Sequence, residues 1–129
     1  MSKQFTLGKT ERLKSRKSIE QIFAVGKKLV TGSFRVLYVL NSDVLTPSLA
    51  FGAGVSSKHF KKAVDRNRVK RLMREAWRLQ KSDLEEMIRS QKQSMHVFCI
   101  YTGKALPDYK EVFEKLTDVI SKLVKVCVK

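Results

Sequence analysis

Between Lys58 and Arg78 the chain carries nine Lys or Arg side chains and only Asp65 and Glu75 to oppose them. The densest part is the stretch AVDRNRVKRLMREAW, residues 63–77. Like charges one helical turn apart weaken a helix unless something else offsets them. A face that serves only solubility usually mixes signs. Unmixed guanidinium groups suit phosphate, because the planar fork bridges two of its oxygens. Asn67, between Arg66 and Arg68, adds an amide donor and acceptor that suit a 2′-hydroxyl or a base edge. The chemistry on offer is recognition of a polyanion, with nucleic acid the first choice and an anionic membrane surface the second.

No other constellation competes with it. The sequence has no HExxH, no P-loop, no cysteine–histidine zinc spacing and no recognisable nucleophile triad. His59 and His96 are isolated. His59 reads as a surface histidine within reach of phosphate, and His96 as a structural residue of an apolar strand. Cys99 and Cys127 sit in apolar surroundings and read as reduced core thiols.

The net charge of +15 is unevenly placed. Residues 1–57 carry nine basic and three acidic side chains, residues 58–78 nine and two, and residues 79–129 nine and seven. Such a field attracts polyanions and says nothing about fold. Apolar runs such as VLYVL (36–40) are far shorter than the ~20 residues of a spanning helix. The first residues, MSKQFTLGKTERLKSRK, lack the apolar centre of a signal peptide. A cytoplasmic protein without membrane contact is expected.

The elements that must position the basic stretch follow from pattern. At about 100° per residue, Val69, Leu72, Met73 and Ala76 fall on one side of a helix running from about Phe60 to Leu79. Asn67, Lys70, Arg71, Arg74 and Arg78 fall on the other, with Trp77 near the boundary. Upstream, SIEQIFAVG (18–26) reads as a short helix. Ser18 caps it, Gln21 takes the capping-box position, and Gly26 ends it. KKLVT (27–31) and SFRVLYVLN (33–41) read as strands, and LAFGAGVS (49–56) as the hairpin partner of the latter. Its glycines suggest close approach of another backbone.

Downstream, Ser82 with Glu85 forms a capping-box pattern for a helix over 83–91. MHVFCIYTG (95–103) is apolar on both faces and reads as a buried strand. A last amphipathic helix starts at Asp108 and Glu111. Tyr109, Val112, Phe113, Leu116, Val119, Ile120 and Leu123 form its core face. The length of 129 residues fits one domain, with a mobile start over residues 1–10. The result is an α+β sandwich of order α-β-β-β-α-β-α.

KKAVDRNRVKRLMREAW resembles the signature of the bacterial ribonuclease P protein component: Arg66, Asn67 and Arg68 followed by Lys70, Arg71 and Arg74. FGAGVSSKHFKKAV and RLKSRKSIEQIFAVGKKL are similar to the family's segments upstream, so the likeness spans most of residues 11–80. The resemblance implies a compact two-layer α/β sandwich like the second domain of ribosomal protein S5. Its four-stranded sheet would contain an unusual left-handed βαβ crossover, against the general right-handed preference. It further implies a noncatalytic subunit of an endoribonuclease that removes the 5′ leader of precursor tRNA, bound 1:1 to a catalytic RNA. The chemistry would belong to that RNA and its Mg²⁺ ions, which activate water and stabilise the leaving oxygen, so no protein carboxylate pair is needed.

Two RNA-facing surfaces come with the resemblance. Lys58, Lys62, Arg66, Asn67, Arg68, Lys70, Arg71 and Arg74 would meet the RNA subunit. Arg12, Ile19, Phe23, Phe34, Arg35 and Tyr38 would line a cleft for the single-stranded leader, since single strands favour aromatic platforms in a basic groove. Alternation sets Phe34, Val36, Tyr38 and Leu40 on one side of their strand and Arg35, Leu37 and Val39 on the other, and leaves open which side faces the cleft. Three positions depart from the family pattern. Ile19 stands where an aromatic is frequent, Ser57 where lysine is common, and Phe60 where glycine is frequent, which predicts a bulkier approach to the basic helix. Two other functions use the same charge: a ribosomal or structural RNA-binding protein, and a DNA-binding protein with the basic helix in a major groove. No short preceding helix of a helix-turn-helix is evident for the latter.

Overall fold

The computed structural model describes residues 22–24, 26–56 and 58–127. Ser18, Gln21, the expected mobile start, Arg12, Ile19 and Ser57 lie outside these residues. Ile22, Phe23 and Ala24 are helical, and the Gly26 N–H donates to the Ile22 carbonyl at 2.8 Å, closing the turn where a terminator was expected.

Strand β1 (Lys27–Thr31) turns through Gly32 and Ser33 into β2 (Phe34–Asn41). Gly32 has φ +57°, the left-handed backbone that the first central residue of a tight hairpin requires. A longer loop leads to β3 (Ser48–Val55), then helices α1 (Ala63–Gln80) and α2 (Ser82–Ser90), strand β4 (Ser94–Tyr101) and helix α3 (Tyr109–Cys127). The strands lie in the order β1-β2-β4-β3.

The expected β2–β3 hairpin is therefore wrong. β2 is the hairpin partner of β1, and β3 pairs in parallel with β4. Parallel neighbours need a long crossover, and α1 with α2 supplies it. This inserts β4 between β2 and β3.

All three helices share one core with one face of the sheet. Phe34, Val36 and Tyr38 of β2, Phe51 of β3, and Val97, Cys99 and Tyr101 of β4 join Met73, Leu84, Leu116 and Val119 in it. Trp77, expected near the boundary, is only 1% exposed and stacks on Phe51 with ring centres 4.3 Å apart. Leu72 is only half-buried, so the apolar stripe of α1 is rotated toward Trp77. Burial raises the thiol pKa of both Cys99 and Cys127, which leaves them unreactive.

The capping-box reading of Ser82 fails. Lys81 at the junction stays in the right-handed helical region, and the Glu85 N–H donates to the Lys81 carbonyl at 2.8 Å. Ser82 therefore sits within the helix. Asp108 does cap α3, accepting from the Glu111 N–H at 2.8 Å. Tyr109 is 37% exposed and Phe113 half-buried, so these two stand at the edge of the core face.

The other face of the sheet is different. Its cross-strand rows are Val30–Arg35–Ile100–Gly54 and Lys28–Leu37–Phe98–Gly52. Ile22 packs there with Leu37 and Ala50, flanked by Val39, Phe98 and Ile100.

Candidate nucleic-acid interface

The basic surface starts where β3 ends. The Ser56 N–H donates to the Tyr101 carbonyl at 3.2 Å, so the loop leaves the sheet at the row of Val55, Tyr101 and Phe34, one residue beyond the open-face row of Gly54, Ile100 and Arg35. In that loop Lys58, His59, Lys61 and Lys62 are exposed while Phe60 is buried. The Phe60 ring lies 6.1 Å from that of Tyr101. Phe60 thus turns inward as an anchor, and the expected bulky approach to the basic helix does not arise. Burial, and secondarily Glu111, raise the Tyr101 phenol pKa, and its hydroxyl donates to the Ala105 carbonyl at 2.7 Å.

Helix α1 carries the surface onward. Asn67, Arg68, Arg71 and Arg74 are exposed and Lys70 is half-exposed, while Val69, Met73 and Ala76 seal the opposite stripe. Amphipathic spacing forces this division, since burying one stripe turns the other outward. Glu75 is engaged by Arg78, whose Nε donates to Oε2 at 3.2 Å and whose Nη2 meets Oε1. That hydrogen bond, more than the charge attraction, raises the Arg78 pKa. The end of α1 is further stitched to α3, because Gln80 Nε2 donates to the Phe113 carbonyl at 3.0 Å. The exposed cations therefore concentrate in the first three turns.

Arg66 sits differently from its neighbours. It is half-buried, and its Nη1 donates to the carbonyls of Phe60 and Lys61, each at 2.8 Å.

A second surface lies on the open sheet face. Phe23 is 53% exposed and meets Phe98 edge-on, with centroids 5.6 Å apart and planes at 62°. Arg35 is exposed in the adjoining row. Gly52 stands opposite Phe98, and a Cβ on Gly54 would lie 2.9 Å from the Phe98 ring tip. What approaches the glycine is thus a side chain and not the backbone expected. Two aromatic rings at the sheet surface with an arginine in the adjoining row can stack a planar base.

Phe34 and Tyr38 do not line this surface. They are 1% and 7% exposed and point into the helix-covered core, because alternation in β2 turns Arg35, Leu37 and Val39 the other way. Phe98 and Ile100 are the residues that sequence reasoning missed. A strand apolar on both faces carried the signal, but nothing in its pattern marked the less covered face. Among the described residues, no three His, Cys, Asp or Glu side chains are grouped to hold a metal ion, and no helix is long and apolar enough to cross a membrane.

The ribonuclease P family model matches residues 7–124. A ribonuclease P protein component from Porphyromonas gingivalis is 37% identical over 108 residues, 84% of this chain and 79% of its own length. The solved RNase P protein from Thermotoga maritima superposes with a TM-score of 0.66 at 29% identity, covering 87% of this chain and 96% of that one. The Staphylococcus aureus RNase P protein gives a TM-score of 0.68 at 21% identity, over 93% of this chain and all of that one, a likeness of fold.

Proposed function

The chain belongs to the ribonuclease P protein family, and from that premise we propose that its basic helix seats a catalytic RNA while its open sheet face guides the 5′ leader of precursor tRNA. As a ribonuclease P protein component it is a subunit of a tRNA-processing ribonucleoprotein. The observation that carries the finer reading is one cationic surface, from Lys58 through Arg74, that meets the open face at one end of the sheet.

Lys58, Lys62, Arg68, Lys70, Arg71 and Arg74 then supply phosphate contacts, and Asn67 a contact to a 2′-hydroxyl or base edge. Phe23, Phe98 and Arg35 hold the leader as a single strand, with Ile100 as apolar floor. The protein binds 1:1 with the RNA in the cytoplasm and raises affinity for precursor over mature tRNA, which lacks the leader. No three His, Cys, Asp or Glu side chains are grouped to hold a metal ion among its described residues. In this reading Mg²⁺ belongs with the RNA and the scissile phosphate, where it would activate water, and no step is assigned to a protein-bound ion.

Reconstitution tests this. Adding the protein to a bacterial catalytic RNA and precursor tRNA at low Mg²⁺ should enhance cleavage at the 5′ end of the mature sequence. Binding of the RNA with no gain in cleavage would overturn the reading and leave a purely structural RNA-binding protein.

A further inference from the structure

Arg66 and Arg71 are the same residue type on the same helix, yet they sit differently. Arg71 is exposed and Arg66 half-buried. Arg66 stands seven residues, about two turns, before the fully buried Met73, and three before the fully buried Val69. It therefore lies on the inward flank of α1, at the level where the core gives way to the basic loop. There one nitrogen, Nη1, bonds two successive carbonyls, those of Phe60 and Lys61, each at 2.8 Å.

The loop needs this support. Its anchor is the buried Phe60, whose N–H donates to the Ser56 carbonyl at a long 3.4 Å. At the helix end Lys62 occupies the N-cap position with no side-chain cap. Between these points the backbone carries carbonyl oxygens at the edge of a surface meant for phosphate. A guanidinium bonded to two of them fixes the chain and cancels their partial negative charge.

We infer that Arg66 is the positioning residue of the basic loop, holding the backbone from which Lys58, Lys61 and Lys62 project, and is not itself a phosphate ligand. This rests on the reading that the basic surface binds RNA. The two are separable, because the brace exists in the free protein.

The test compares Arg66→Lys, Arg66→Gln and Arg71→Gln. Amide hydrogen exchange is followed at Phe60 and Arg66 in the free protein, and affinity for the catalytic RNA is measured across a salt series. Both Arg66 variants should speed exchange about tenfold, the effect of losing a charged hydrogen bond. Both should weaken RNA binding by a similar factor, with a salt slope close to that of the unaltered protein. Arg66→Lys keeps the charge, but its ammonium ends one bond short of the position Nη1 reaches, so it should not rescue. Arg71→Gln should leave exchange unchanged and lower the slope by about one ion.

Normal exchange in Arg66→Gln would overturn the inference. So would an Arg66→Lys variant that binds normally while Arg66→Gln loses about one ion from the slope. Faster exchange with unaltered RNA affinity would reduce Arg66 to a structural brace and overturn its positioning role. If the unaltered protein bound no RNA, the functional reading would fall, and exchange alone would still decide whether the brace exists.

Discussion

On one side of β2, Phe34, Val36 and Tyr38 are packed into a single cluster with residues from all three helices. On the other, Arg35, Leu37 and Val39 look, among the described residues, toward the helical turn at Ile22–Ala24. The closed face is filled with large side chains, including the Phe51–Trp77 stack. The open face is thinned along β3 to Ala50, Gly52 and Gly54. The same four strands thus divide their labour by alternation. Burial on the closed face stabilises the fold, while on the open face Phe23 is exposed and Phe98 half-buried, within reach of a base. A residue type does not say which face it takes, since phenylalanine stands on both.

Truncation at matched aromatic positions should break this symmetry. Phe34→Ala removes a fully buried ring and should cost about 3–5 kcal/mol in chemical denaturation. A loss under about 1 kcal/mol would mean that the closed face is not the core. Phe98→Ala should act mainly on binding, weakening precursor tRNA by ~1–3 kcal/mol in a reconstituted holoenzyme with little effect on mature tRNA. If it destabilised the protein as much as Phe34→Ala while sparing the precursor, the open face would be a second core.

The smallest effect is expected at Gly54. An added Cβ would come within 2.9 Å of the Phe98 ring tip, the movable end of a side chain. Gly54→Ala should therefore change stability by less than about 1 kcal/mol while tilting the ring. Precursor affinity should fall by less than in Phe98→Ala, and an increase would contradict the placement of Phe98 as a stacking ring.

Much of this was legible in the sequence. The 3.6-residue pattern of α1, the Asp108 cap and the Gly26 terminator are local signals, and each carries its own physics. What failed was long-range or two-sided. Neighbouring strands usually pair, so β2 and β3 were expected to form a hairpin, and only tertiary structure inserts β4 between them. Alternation sorts β2 into two sets but assigns neither set to the helices, so Phe34 and Tyr38 stood beside Arg35 as cleft candidates although the core takes them. Phe98 was hidden in a strand apolar on both faces. The spacing of Arg66 to Val69 and Met73 marks the inward flank, but its contact was not legible, because a guanidinium suits a carbonyl oxygen as well as a phosphate.

Phe23 puts the division of the sheet to its most direct test, because its ring is more than half exposed and its loss should not disturb the core. In holoenzyme assembled with Phe23→Ala, the ratio of affinities for precursor over mature tRNA should fall about fivefold or more, with mature tRNA binding unchanged. Equal losses for both RNAs, or no loss for either, would contradict the open face as the path of the leader.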